Sequence, residues 1–370
     1  ATDTSGNSVT ATQTVTIVDT TTPTILAPAD VSVEASDPTS NIVAIGTATT
    51  SDAVGVVSVT SDAPSVFPFG QTIVTWTATD AAGNNATDIQ TIIVVDTTAP
   101  KVFAPADVTA DATDPTNNTI PTGTASATDI IGVASITSDA PAAFPFGETI
   151  VTWTAIDTSG NSATTTQKVT VIDTTAPQLA VPADITIDAT SLESTIAIGN
   201  ATVSDIIDSS PKVTNNSTAT FPLGKTIITW TAADKFGNSQ TLTQTVNVQA
   251  CGKPSSSYNL IVGRLTDDDI VGTGLADLIF ALAGNDIIMG GQGDDCIICG
   301  DVDDILFGDD GIDTIYAGNG NDIIKGGIGD DTLYGNLGLD VIDGGYDHDT
   351  CYVGEDPSND AVINCEAGEL

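Results

Sequence analysis

From Gly290 to Tyr334 the chain reads GGQGDDCII CGDVDDILF GDDGIDTIY AGNGNDIIK GGIGDDTLY. An aspartate recurs at every ninth residue, and two positions after it comes an aliphatic side chain. The step extends beyond the quoted stretch: Asp268, Asp277, Asp286, Asp295, Asp304, Asp313, Asp322, Asp331, Asp340 and Asp349 stay in phase. Ile270, Ile279, Ile288, Ile297, Leu306, Ile315, Ile324, Leu333 and Ile342 follow them, and Cys351 takes the tenth aliphatic place.

Nine residues divide into a six-residue turn and a three-residue strand, so two frames make one 18-residue coil of a parallel β-roll. The aliphatic residue points inward. Stacking coils at the strand spacing of about 4.8 Å brings the aspartates of residues i and i+18 side by side. Two ladders result, Asp268/286/304/322/340 and Asp277/295/313/331/349. Carboxylates that close repel unless a cation lies between them. A hard divalent ion takes six to eight oxygens, and glycine-rich turns offer carbonyls without an obstructing Cβ. The pattern therefore points to several calcium ions. Magnesium, with its tight octahedron, suits such a flexible cage less well.

The segment at about 262–352 resembles the RTX (haemolysin-type) calcium-binding repeat. Some frames depart from it. The fourth-position glycine is replaced by Thr266, Leu275, Val302 and Asp347, which puts the end sites in doubt. The best-formed turns lead to Asp286, Asp295, Asp313, Asp322 and Asp331. The fifth-position residues Asp294, Asp303, Asp330, Asn285 and Asn321 add ligands or are solvated. The core of such a roll is one aliphatic row per face. Without calcium it is expected to be disordered.

Ahead of the roll a longer repeat sets the architecture. Trp76, Trp153 and Trp230 lie 77 residues apart in FPFGQTIVTWTATDAAGN, FPFGETIVTWTAIDTSGN and FPLGKTIITWTAADKFGN. DTTTP or DTTAP at Asp19, Asp96 and Asp173, and PAD at Pro28, Pro105 and Pro182, keep the same step. Short alternating segments broken by Gly, Pro and Asn predict β-sandwiches of about seven strands. These units resemble HYR (hyalin repeat) domains, an immunoglobulin-like family, on D-T-T-A-P, F-P-x-G before T-x-T-W, and A-x-D-x-x-G-N. The resemblance implies an extracellular location and a role in adhesion or spacing, with no catalytic residues.

The expected fold is all-β: tandem immunoglobulin-like β-sandwiches followed by a parallel β-roll. The divisions are 1–21 (the last hairpin of a unit whose front lies outside the sequence), 22–98, 99–175, 176–250, and the roll at 251–370. Short linkers predict a semi-rigid rod. The tryptophans are expected in sandwich cores rather than as sugar-stacking platforms. Asp80, Asp157 and Asp234 are expected to close hairpin turns. A second reading makes them calcium ligands together with Asp96 and Asp173. Sequons at Asn85, Asn117, Asn200, Asn215 and Asn216 allow glycosylation.

Charge narrows the partners. The 370 residues carry 49 acids against 8 bases, a formal net charge of −41. That repels nucleic acid and anionic membrane surfaces and favours cations. Half of the acids, 25, lie in residues 252–370. No apolar run reaches the ~18 residues of a membrane helix.

All five cysteines lie at or after Cys251. Cys351 and Cys365 are expected to form a disulfide that caps the roll, and Cys251 to pair with Cys296 or Cys299. With a single histidine, His348, neither a zinc site nor a His-based catalytic set is supported. The function these readings favour is a non-catalytic, calcium-stabilised extracellular or cell-surface protein used for adhesion, surface coating or filament building. Its expected partners are calcium and either further copies of itself or cell-surface components. The alternative is the accessory C-terminal region of a larger secreted enzyme or toxin.

Overall fold

A computed structural model describes residues 1–354 and 360–366. The regular secondary structure of the described residues is β-strand apart from one short 3-10 turn, and the chain divides into two units, Ala1–Ile172 and Asp173–Leu370, each taken by itself below.

The first unit holds two sandwiches of the same plan. In the first, the four-stranded sheet runs Val31–Glu34, Asn85–Val95, Gly70–Asp80, Val56–Ser61. Thr24–Leu26 pairs with Thr49–Ser51 in the facing sheet. The alternation of TIVTWTATD decides the packing: Val74, Trp76 and Ala78 are buried, and the threonines between them face outward. Six strands form rather than seven. The seventh is reduced to a single bridge, Asn41 to Phe67, because the Asn41 side chain binds the local backbone itself. Its Oδ1 accepts from the Ser36 and Asp37 amides, and its Nδ2 donates to the Asp37 and Phe67 carbonyls. The second sandwich repeats this with Asn118 and Phe144.

The tryptophans are core residues, each with its indole N–H satisfied. Trp76 donates to Gln90, Trp153 to Gln167 and Trp230 to Gln244, at 3.1–3.2 Å. Each glutamine then donates to two backbone carbonyls from loops on the far side; for Gln167 these are Ala106 and Thr122. Residues 1–20 form only the tip of the expected hairpin. Thr2 bridges Ser8, and Val15, Ile17 and Val18 are exposed. A lone two-stranded ribbon buries too little to hold its arms together.

In the second unit the third sandwich and the roll share one apolar core. Phe221, Trp230 and Val248 from the sandwich meet Leu278, Phe280, Cys296 and Ile298 from the roll. The roll consists of two six-stranded parallel sheets, each strand pairing with the strand 18 residues on except the last of one sheet, where Val341 pairs with Ala361 at an offset of 20. The inner rows Ile279/Ile297/Ile315/Leu333 and Ile288/Leu306/Ile324/Ile342 are fully buried. Outward-facing Tyr316, Tyr334 and Tyr352 stack with ring centres 4.6 Å apart, close to the strand spacing.

The roll extends past 262–352 at both ends. Asn259–Val262 adds a strand before Asp277–Ala283, and Ala361–Ile363 adds one after Val341–Tyr346. Disulfides join Cys251 to Cys296 and Cys351 to Cys365. Strand alternation decides the first pairing: Cys296 lies on the outer face with Ile298, whereas Cys299 joins the inner core beside Ile297 and remains a free thiol. Cys351, in an aliphatic place, closes the end of its inner row.

Candidate metal centre

Each ladder aspartate closes its turn at the start of a strand, where the pleat turns its carboxylate toward the preceding coil. The amide of Asp268 donates to Asp286 Oδ1, that of Asp277 to Asp295, and the relation continues through Asp331 to Asp349 at 2.7–2.9 Å. One oxygen per carboxylate is thereby used. The other is left bare. Oδ2 of Asp295, Asp304, Asp313, Asp322, Asp331, Asp340 and Asp349 is buried with no hydrogen-bond donor.

A buried, bare carboxylate oxygen costs several kcal/mol unless something compensates it. The strain shows in the acidities. Asp295, Asp313, Asp322 and Asp331 are pushed up to about 7, and Asp286 to about 6. Burial is the main cause. The amide from the preceding coil pulls the value back down, and neighbouring aspartates raise it further.

The residues present fit a hard divalent cation. Besides the bare oxygens, backbone carbonyls turn toward the same space. A methyl placed on Gly308 would lie 2.3 Å from Asp313 Oδ2 and 2.6 Å from the Gly326 carbonyl oxygen. Both oxygens crowd that one point, so glycine there keeps a side chain from covering them, and oxygens are the ligands calcium takes. Bound there, the ion would supply the positive charge that lets these carboxylates be buried together.

The ten aspartates are not equivalent. Asp268 and Asp277 have protein donors on both oxygens or near them: Asp268 Oδ2 accepts from the Arg264 amide, with the Arg264 guanidinium 3.8 Å from Oδ1. Asp277 takes the Thr273 amide and hydroxyl and the Asn259 side chain. Fourth-position glycines have positive φ, and Val302 is forced into the same region at 82°, a strained conformation for a β-branched residue. Fifth-position residues act on the outside: Asp294 and Asp330 accept the amides of Ile312 and His348 one coil on.

Three ladder members were missed by the nine-residue count. Asn259 begins one ladder, and Asp360 and Glu366 end the two, accepting the amides of Asp340 and Asp349 at 2.9 and 2.8 Å. Asn259 and Ile261 are in phase with the repeat. Asp360 precedes Val362 by two, but stands 20 residues after Asp340, so a strict step passes over it.

Acids also gather in the sandwiches, as Asp19/Asp52/Asp80, Asp96/Asp129/Asp157 and Asp173/Asp205/Asp234. The turns use most of these oxygens. Asp80 Oδ1 accepts the Ala82 and Asn84 amides and its Oδ2 the Asn84 side chain. Asp52 accepts the Val54 and Gly55 amides, and Asp96 the Thr98 amide and Ser159 hydroxyl.

The family model of the RTX calcium-binding nonapeptide repeat matches residues 262–297, 300–333 and 325–357. The HYR domain model matches 18–94, 95–171 and 172–248. Hyalin of Lytechinus variegatus is 35% identical over 284 residues, covering 66% of this chain and 51% of that protein. Hyalin of Strongylocentrotus purpuratus is 33% identical over 273 residues, covering 67% and 22%. The chain thus spans about half the length of the first and less of the second. Among solved structures, the Sidekick-1 immunoglobulin domains 1-5 overlay with a TM-score of 0.28 at 14% identity, covering 62% of this chain and 59% of that one; at that score the likeness carries no argument. The chain belongs to the HYR domain family and carries RTX calcium-binding repeats at its C-terminal side.

Proposed function

We propose that this is a non-catalytic extracellular protein in which HYR sandwiches carry a roll that folds on calcium, serving adhesion or the building of a surface layer or filament. The observation that carries the reading is the row of buried Oδ2 atoms without a donor. Millimolar extracellular calcium matches the weak end of the protein-site range, so the roll folds where that ion is abundant. Among the described residues the ladder and turn acids are the ones that metal and turn chemistry would use, which supports the non-catalytic reading.

Circular dichroism of the full chain tests the calcium step. Chelation removes β signal equivalent to the roll and calcium restores it; a spectrum indifferent to chelator overturns the reading. Light scattering tests assembly. Growth in mass with millimolar calcium supports a layer or filament, whereas a monomer at all calcium levels leaves adhesion.

A further inference from the structure

One side chain in the roll departs from the chemistry of the frames around it. Five places before each ladder aspartate the sequence has glycine or alanine in nine frames of ten, and Cys299 before Asp304 in the tenth. Packing asks for less than a sulfur there. Ala281 and Ala317 hold the same place one coil before and one coil after, and all three side chains lie in the inner core. Disulfide chemistry does not use it either. Cys251 pairs with Cys296 and Cys351 with Cys365, which leaves Cys299 as the free thiol.

The sulfur lies against two ladder carboxylates. Cys299 Sγ and one oxygen each from Asp286 and Asp304 are within 4.8 Å of one another. The three residues are only 3%, 1% and 2% exposed. Asp304 adds an independent sign of a missing ligand: its Oδ1 accepts the Asp286 amide at 2.8 Å, and its Oδ2 is buried without a hydrogen-bond partner. The polar group beside that carboxylate is the Cys299 thiol, and an S–H is a weak donor at best. Closed off from water, such a group of acids is costly as it stands. As a donor set for a divalent ion it is complementary.

The donors select the ion. Calcium and magnesium take oxygen, so a sulfur occupies a place where either would want another ligand. Zinc takes cysteine sulfur and carboxylate oxygen together, and three protein donors suffice when water or a second carboxylate oxygen makes the fourth. We propose that Asp286, Cys299 and Asp304 form a zinc site set into the calcium roll. A histidine count argues against zinc in this chain, but this set needs no histidine. On binding, a Zn–S bond replaces the S–H bond and the proton passes to solvent. The ion then offsets two of the three negative charges that the thiolate and the carboxylates bring together. The site goes beyond the calcium reading above, because it adds an ion of a different class at one coil.

Cobalt(II) is the probe, since it occupies zinc sites and gives a thiolate charge-transfer band that oxygen ligands do not. The full chain, disulfides intact, is moved from chelator into saturating calcium with cobalt chloride, so that the ion is present as the coils close. With Cys299 the free thiol, the band reports on this site. Wild type is expected to develop the band, to saturate at about one cobalt per chain, and to lose the band when zinc is added. Cys299→Ala places in this coil the residue its two neighbours already have. It is expected to keep the calcium-induced β signal and, after dialysis in calcium and zinc, to retain about one zinc ion fewer than wild type. Asp304→Asn is expected to weaken cobalt binding about tenfold or more. A roll that folds in calcium without a thiolate band, or equal zinc retention by wild type and Cys299→Ala, overturns the zinc site and leaves the calcium reading intact. A band from a roll indifferent to calcium supports the zinc site and overturns the calcium reading.

Discussion

The amide of Asp313 donates to Asp331 Oδ1 at 2.8 Å, while Asp331 Oδ2 lies buried without a donor. One carboxylate thus does two things at once. It holds the neighbouring coil in register and leaves one oxygen for a cation. Because the relation repeats up the roll, losing the cation at one level weakens the register at the next, and calcium binding should be cooperative.

Removing Asp313 tests this more severely than removing Asp268. Asp313 has ladder neighbours on both sides, and Asp268 has Arg264 beside it in place of an ion. Asp313→Ala is expected to raise the calcium midpoint about tenfold and lower the steepness of the transition. Asp268→Ala should change the midpoint less than threefold. Calcium titration followed by circular dichroism measures both, and equal effects would contradict the ranking.

The acidities predict how the metal-free roll responds to pH. Asp295, Asp313, Asp322 and Asp331, near 7 when folded, titrate near 3.9 in an unfolded chain. Between those values the folded state binds more protons than the unfolded one, so stability falls as pH rises through the window. In chelator, the roll should therefore gain β structure as pH drops from about 7 to about 4, and calcium affinity should weaken over the same range. A metal-free roll that loses structure on mild acidification would refute this.

Much of this design is legible in residues 263–352, because a strand period of two and a coil of 18 leave little freedom once Asp and an aliphatic residue recur every nine. What the count could not show lies where other forces override it. The end of the ladder at Asp360 is out of phase because an insertion precedes it, although D-x-V survives. The Cys251–Cys296 pairing depends on which face of a strand meets the third sandwich, a tertiary fact. In the sandwiches the tryptophans were legible, but their partners Gln90, Gln167 and Gln244 were not: a glutamine among threonines reads as surface until the indole N–H above it needs an acceptor.

Asp360 offers a test of the ladder's end. It accepts the Asp340 amide, so Asp360→Ala leaves a partly buried donor unpaired at a cost of about 1–3 kcal/mol. Amide exchange at Asp340 and in Val341–Tyr346 should accelerate, while Ile297 and Ile315 in the central coils keep their protection. Uniform loss of protection through the roll would show that the end coil does not fray separately.

Gln167 should matter as much as the tryptophan it serves. It is almost fully buried and links the Trp153 indole to the Ala106 and Thr122 carbonyls. Gln167→Leu keeps the volume and strands one donor and two acceptors, for a loss of about 3 kcal/mol or more. Thermal denaturation of the full chain in calcium should show one sandwich melting early. A transition unchanged from wild type would mean that those groups find other partners.

The disulfides should matter most when calcium is absent. Closing the 14-residue separation of Cys351 and Cys365 restricts the unfolded chain by about 3 kcal/mol, and the 45-residue separation of Cys251 and Cys296 by about 4 kcal/mol. Cys351 also fills an inner-row place, so Cys351→Ala would confound the bond with a cavity; Cys365→Ser, on the partly exposed side, is the cleaner variant. It leaves Cys351 as a buried thiol. The variant is expected to need more calcium to fold, with the midpoint raised severalfold, yet to approach wild-type β content once calcium is saturating, because the ion binds the folded state alone and offsets the lost constraint by mass action. If Cys365→Ser folded at the wild-type midpoint, the terminal bond would have no part in holding the roll. If it stayed unfolded in saturating calcium, the bond would be a precondition for the last coils rather than a supplement to the metal.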